Sequence, residues 1–173
     1  MRRLDRRCKV DGGSKVKTVG LRYLNFFGTR QDPNGAYAAV IPLWIRAMLK
    51  GEDVYVNGNG KTSRDFCYIY NCVQANRLAA CTTDGDDFNQ VFNVALGAQT
   101  TLNELYALIR DRVLQVVPNV EIKAPIYRDF RKGDVRHSLA DISKGKRLIG
   151  YEPEHTVKDG LCEAAKWYVE APF

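Results

Sequence analysis

Seven residues, Gln90-Val-Phe-Asn-Val-Ala-Leu96, restrict this chain more than any other stretch. They are nearly continuous in apolar character and rich in valine, and Gly97 closes them. Such a run is that of a parallel strand covered on both faces. A second run, Lys17 to Phe27, carries Val19, Leu21, Tyr23 and Phe26–Phe27 and reads as the first strand. Both look like interior strands of a parallel sheet. A parallel pair is not a stable sheet by itself, so the pattern implies further strands.

Between and after these runs the period changes. Leu43, Trp44, Ala47 and Met48 recur at helical spacing over Ala39–Lys50, with Pro42 tolerated in the first turn and Gly51 as the stop. Val54-Tyr-Val alternates as a short strand, and Asn57-Gly58-Asn59-Gly60 is a strong turn signal, so Ser63–Ile69 is expected to complete a short hairpin. Asn71–Thr82 reads as a helix with Val73, Leu78 and Cys81 facing the core. Thr101-Leu-Asn-Glu104 is a capping box that opens a helix carrying Leu102, Leu105, Ile109 and Val113, stopped before Pro118. Val120–Tyr127 and Val135–Leu139 read as strands, Arg128–Asp134 as a charged loop, and Ile142–Ile149 and Val157–Val169 as the last helices. No repeat or low-complexity tract appears.

A net charge of +6 over 173 residues suggests a polyanion partner until it is dissected. Residues 1–17 hold Arg2, Arg3, Arg6, Arg7, Lys9, Lys15 and Lys17 against Asp5 and Asp11, so the excess sits in a leader and the rest is nearly neutral. The leader has no interleaved aromatic residues to stack bases. It reads as a disordered basic segment, 1–17, ahead of a single domain, 18–173, and nucleic acid is not expected as a partner. No apolar run approaches the ~20 residues of a membrane span, and no secretory leader is recognisable, so the expected setting is cytoplasmic with no membrane partner. Five cysteines, with no C-x-x-C, argue for reduced thiols; Cys67, Cys72, Cys81 and Cys162 lie in apolar contexts and are expected in the core. His137 and His155 are too isolated for a metal site.

Asn25 sits where the first strand becomes loop, and Asp32-Pro-Asn-Gly35 supplies turn chemistry beyond it. Ligands of open α/β sheets bind just outside the carboxyl ends of strands, which makes Asn25 a ligand-facing candidate. The plainer alternative is an amide that serves only the loop backbone. Arg64 and Asp65 are adjacent, so on a strand their side chains point to opposite faces.

Four runs carry a resemblance: Arg22-Tyr-Leu-Asn-x-x-Gly28 with Arg30-Gln-Asp-Pro-Asn-Gly-Ala-Tyr37; Val54-Tyr-Val-Asn-Gly58; Thr62-Ser-Arg-Asp-Phe-Cys-Tyr-Ile69; and Tyr127-Arg-Asp-Phe-Arg-Lys-Gly-Asp-Val-Arg-His-Ser-Leu-Ala-Asp141. In order and spacing they resemble the second half of the extended short-chain dehydrogenase/reductases, nearest to bacterial UDP-N-acetylglucosamine and UDP-glucose 4-epimerases. The resemblance implies an α/β fold made of the C-terminal strands of a Rossmann-type parallel sheet plus the small nucleotide-sugar-binding subdomain, lacking the N-terminal cofactor-binding part. It implies that Asn25, Arg64, Arg131 and Asp134 hold the diphosphate and ribose of a UDP-sugar, with Gly133 permitting close approach. It places Ala39, Tyr55, Val56 and Asn57 around the uracil, and Leu24, usually a phenylalanine in the family, near the nicotinamide. A solvated charged face is the alternative for the arginines. Gln99 stands where close relatives often have an arginine.

The family's hydride chemistry uses a glycine-rich strand-to-helix turn for NAD and a Tyr-x-x-x-Lys pair whose lysine lowers the tyrosine pKa. Neither occurs: Tyr23 meets Phe27, Tyr68 meets Cys72, Tyr106 meets Arg110 and Tyr127 meets Arg131 four residues on. The expectation is a UDP-sugar-binding portion of a NAD-dependent 4-epimerase, inactive alone and not binding NAD by itself. A homo-oligomer, or an N-terminal half on a separate chain, would then complete it. The alternative is a non-catalytic UDP-sugar-binding or interaction protein that pairs with a full-length relative.

Overall fold

The computed structural model describes residues 17–34, 38–83 and 87–170. Nearly all of the basic leader lies outside them. The elements run β1 (Val19–Tyr23), β2 (Phe26–Phe27), α1 (Val40–Leu49), β3 (Tyr55–Asn57), β4 (Ser63–Arg64), β5 (Cys67–Tyr68), α2 (Ile69–Cys81), β6 (Gln90–Val94), β7 (Thr100–Thr101), α3 (Leu102–Val116), β8 (Ile126–Arg128), α4 (Ser143–Ile149) and α5 (Val157–Glu170).

β1 and β6 pair in parallel, from Val19 opposite Gln90 to Tyr23 opposite Val94. The strand read over Lys17–Phe27 is not continuous. Asn25 adopts φ +41°, a left-handed conformation that asparagine tolerates, and the chain turns there. Beyond that turn β2 pairs in parallel with β5 instead of β6. The expected hairpin after Gly60 does not form. β3 pairs in parallel with β8, and β4 pairs antiparallel with β7. Gly58 and Gly60, both at positive φ, let the chain leave β3 toward a different neighbour. The strand expected over Val120–Tyr127 narrows to β8, and the one over Val135–Leu139 to a single bridge between Ser63 and His137.

Local chemistry sets the helix ends. The Thr101 hydroxyl accepts from the Glu104 amide while the Glu104 carboxylate accepts from the Thr101 amide, the capping box read from the sequence. Gly150, at φ +65°, ends α4 in the left-handed conformation.

Two apolar clusters result. One lies among α1, α3 and α5, with Trp44, Ile45, Leu105, Ile109 and Leu161 fully or nearly buried, and it reaches Phe27 and Tyr68. The other joins Phe92 and Val94 of β6 to Cys72 and Ala75 of α2 and to Ile149 and Tyr151. Each fully buried Leu or Ile contributes roughly 1.5–3 kcal/mol. The stripe expected on α2 is rotated: Asn71, Cys72 and Ala75 face inward, whereas Val73 and Cys81 are exposed. Asn71 goes in because its amide accepts from the Glu154 and His155 backbone and donates to the His155 carbonyl. β6 is covered on one face only, since Phe92 is buried and Val91 is exposed.

Candidate functional site

The chain turns at Asn25 just past the carboxyl end of β1, and a cleft opens there. It has a volume of about 470 Å³ and is lined by Tyr23, Leu24, Asn25, Arg64, Gly133, Asp134, Val135 and Ser138. Three separated stretches meet in it: the end of β1, the β4 residue Arg64, and the loop 133–138. Leu24 is held by its amide, which donates to the Val94 carbonyl at 3.2 Å, and Asn25 by its carbonyl, which accepts from the Cys67 amide at 3.3 Å. The exposed Asn25 side chain therefore sits on a backbone fixed on both sides.

Arg64 is half-buried. Its Nη1 donates to the Ser63 carbonyl at 2.9 Å and to the Arg136 carbonyl at 3.4 Å. A guanidinium carries five N–H donors, so Nε and Nη2 are available to an anion. Facing it are Gly133, at φ +87° with nothing within 4 Å of the place a Cβ would take, and Asp134. A cation, a neutral amide and an accessible backbone around one opening suit a phosphate ester, and Asp134 in the same lining suits a hydroxyl donor.

Of the residues singled out in the sequence, Leu24, Asn25, Arg64 and Asp134 converge here, with Gly133. The others lie outside the cleft. Arg131 is exposed one turn earlier, where its carbonyl accepts from the Asp134 amide. Ala39 caps α1. Val56 is buried in the first cluster, so only its backbone could meet a ligand. Asn57 is exposed. The Tyr55 ring lies 3.2 Å beneath the Arg128 guanidinium, beside a second, shallower cleft lined by Gly58, Asn59, Tyr127, Arg128, Asp129 and Phe130. Gln99 is exposed and lines neither cleft. Tyr23, Val135 and Ser138 also line the cleft and were not singled out as site residues, although Val135 and Ser138 stand in the motif run Tyr127–Asp141.

Behind Arg64 the Asp65 carboxylate is fully buried. It accepts from the Leu96 and Gly97 amides at 3.0 Å and from the Ala140 amide at 3.2 Å. Burial pushes its pKa above the ordinary carboxylate value, and the backbone donors pull it back only in part.

The buried tyrosines are poor acid–base candidates. A phenolate base needs a lowered pKa, yet burial moves Tyr68, Tyr106, Tyr151 and Tyr168 upward, Tyr168 to about 12. The hydrogen bond to Cys67, together with burial, raises the Cys72 thiol as well. Among the described residues no cluster of His, Cys, Asp or Glu is arranged for a metal ion, and no helix is long and apolar enough to cross a membrane.

A family model described as the NAD dependent epimerase/dehydratase family matches residues 8–95, just over half of the chain. The chain belongs to that family. It is 34% identical over 147 residues to a putative UDP-glucose 4-epimerase of Methanocaldococcus jannaschii, covering 85% of this chain and 44% of the relative. The fold of this epimerase-family chain matches the Thermotoga maritima UDP-glucose 4-epimerase solved with UDP-glucose, with a TM-score of 0.79, 36% identity, and 90% and 47% of the two chains covered. It likewise matches the Methanobrevibacter ruminantium UDP-N-acetylglucosamine 4-epimerase in complex with UDP-N-acetylmuramic acid, with a TM-score of 0.77, 44% identity and the same coverage. The chain thus spans less than half the length of these relatives. The α/β architecture with parallel strand pairs is that of Rossmann-type epimerases.

NAD is the cofactor named for the family, and the heads of α2, α3 and α5 do not suit it. Its pyrophosphate needs a helix N-terminus with open amides behind a glycine-rich turn. The amide at the head of α3 is already taken by Glu104, and α5 carries Asp159 in its first turn. α2 follows β5 directly through Tyr68, with no glycine between them.

Proposed function

We propose that this chain carries the substrate-holding portion of a nucleotide-sugar epimerase and takes the diphosphate of a UDP-sugar in the cleft at the end of β1. The observation that carries this reading is the convergence of Leu24, Asn25, Arg64 and Asp134, from three distant stretches, around one opening at the carboxyl end of a parallel strand. Arg64 and Asn25 donate to the diphosphate, Asp134 accepts from the ribose, and Arg131 adds charge at the rim. Ala39 and the backbone of Tyr55–Asn57 receive the uracil, and Leu24 faces the cofactor side. Hydride transfer is not supplied by these 173 residues, which contain no Tyr-x-x-x-Lys pair and no glycine-rich cradle.

Calorimetric titration with UDP, UDP-glucose and UDP-N-acetylglucosamine tests the reading. Saturable heat is expected with all three, and Arg64→Gln should weaken binding by about tenfold or more, the loss of a charge-assisted pair. A folded sample that gives no heat at millimolar UDP overturns the binding, and epimer formation by the purified chain alone overturns the inactivity.

A second reading rests on the surface. Tyr23, Phe26 and Val73, on β1, β2 and the α2 that contacts both, are large apolar side chains left exposed, and Val91 is exposed on the face of β6 turned from α2. They favour an assembly in which a second copy or a separate polypeptide covers β1 and α2.

A further inference from the structure

We propose that Asp65 is a positioning residue, whose buried carboxylate clamps the cleft wall to β4 and thereby aims Arg64 into the cleft. This rests on the reading of the cleft as an anion site and says what makes that site stiff.

A fully buried carboxylate is costly unless its oxygens are satisfied. The four ion pairs among the described residues do not include Asp65. Its compensation is entirely backbone: Oδ1 accepts from Leu96, and Oδ2 from Gly97 and Ala140. These donors belong to two segments that no strand pairing joins. Leu96 and Gly97 form the turn that ends β6, whose neighbour β1 brings Leu24 and Asn25 to the cleft. Ala140 closes the segment whose earlier residues, Asp134, Val135 and Ser138, form the other cleft wall.

Ser63 grips that same segment from the other side of Arg64. Its amide donates to the Arg136 carbonyl at 3.0 Å, its carbonyl accepts from the Ser138 amide at 3.1 Å, and its hydroxyl meets His137 Nδ1 at 2.9 Å. Arg64 is therefore the middle residue of a three-residue seam anchored at both ends. Strand alternation sends its side chain opposite to that of Asp65. Its Nη1 contact to the Arg136 carbonyl depends on the 136–140 segment staying where Asp65 and Ser63 hold it.

An aspartate is required because three N–H donors converge on two acceptor oxygens. Asparagine would offer one oxygen and turn an NH2 group toward the remaining donors. Asp65→Asn thus keeps the size and breaks the clamp, whereas a purely space-filling role would tolerate it.

Two measurements test this. The first follows the Arg64 Nε–Hε resonance in the ligand-free protein by NMR. In Asp65→Asn it should move toward its unfolded-chain position together with the Leu96, Gly97 and Ala140 amides. An unmoved Arg64 resonance with displaced amides overturns the proposal. If that variant does not fold, the wild-type chain still decides. On acidification the Arg64 resonance should titrate with the midpoint of the Asp65 carboxyl carbon; following Asp134 instead, or not titrating, overturns the proposal. The second is a double-mutant cycle on UDP affinity. Asp65→Asn should cost about tenfold alone and less than about twofold in the Arg64→Gln background, because neighbouring residues acting through one contact are non-additive. Additive losses overturn the proposal. A wild-type chain that binds no UDP overturns the proposed function, while the Arg64 resonance continues to decide the role of Asp65.

Discussion

The Tyr151 hydroxyl donates to the Ala95 carbonyl at 2.8 Å, joining the turn after α4 to the end of β6, with both residues fully buried. Ala95 immediately precedes the Leu96–Gly97 turn held by Asp65, so this bond steadies the same corner from behind. Tyr151→Phe leaves a buried carbonyl without that donor and should cost about 1–3 kcal/mol. Tyr151→Ala adds a cavity and should cost about 3–5 kcal/mol. Urea unfolding monitored by circular dichroism gives both values, and equal losses for the two variants would contradict this account.

Gly160, in the first turns of α5, lies against two buried rings. A Cβ there would sit 2.5 Å from Tyr68 Cδ2 and 2.8 Å from Phe27 Cζ. Two effects compete in Gly160→Ala. Helix propensity favours alanine by roughly 1 kcal/mol, whereas overpacking costs about 1–3 kcal/mol or more. The rings pack on each other at 5.5 Å, and the Tyr68 hydroxyl is tied to Glu163 at 2.8 Å, so neither can retreat. The variant is therefore expected to be net destabilised, with the loss read as a lower urea midpoint at unchanged slope. A stabilised variant would show that the rings yield.

The cap of α3 should be visible in the acid limb of stability. Bonds from the Thr101 amide and hydroxyl hold the Glu104 carboxyl below its ordinary value, and those from Thr156 do the same for Asp159. A depressed folded-state pKa contributes stability that is present above the unfolded value, here about 4.5 for Glu104, and is lost as pH falls through the folded value. Asp65 has the opposite sign: its raised pKa is relieved, not penalised, by the first protons taken up. Thr101→Ala should cost about 1 kcal/mol near neutral pH. Glu104→Gln should flatten the fall in stability below about pH 4.5 relative to wild type. Parallel acid limbs for the two proteins would remove Glu104 from the account.

Much of this arrangement was legible in local sequence. The five helices among the described residues, the capping box and the parallel pair β1–β6 follow from periodicity and end signals, because those depend on neighbours in the chain. Strand partners did not follow. Asn57-Gly58-Asn59-Gly60 has hairpin chemistry, yet β3 pairs with β8, about 70 residues on, and β4 with β7. Such pairing is decided by which edges the packed helices leave open, not by the turn. The rotation of α2 was hidden for a related reason: Asn71 goes inward because its amide satisfies the 154–155 backbone, and this carries Val73 out. In the cleft, the motif residues Asn25, Arg64 and Asp134 were visible, whereas Asp65 was seen only as pointing away from Arg64. Its three donors lie 31 to 75 residues distant and leave no local trace.

The outward turn of α2 also sets the expected behaviour in solution. Val73 is 56% exposed on α2, and Tyr23 and Phe26, whose rings meet at 6.2 Å, are exposed on β1 and β2, which both contact α2. Exposed apolar side chains of this size on adjacent elements favour association. The sedimentation coefficient of the chain should therefore rise with concentration. Val73→Lys places a charge on this face without disturbing the core, since Cys72 and Ala75 supply the inward contacts. Its unfolding free energy should stay within about 0.5 kcal/mol of wild type. Its association should weaken, and by more than that of Cys81→Ser at the far end of the same helix. A chain that sediments as a monomer at every concentration, or a Val73→Lys variant that associates as wild type does, would show that this face is not the contact.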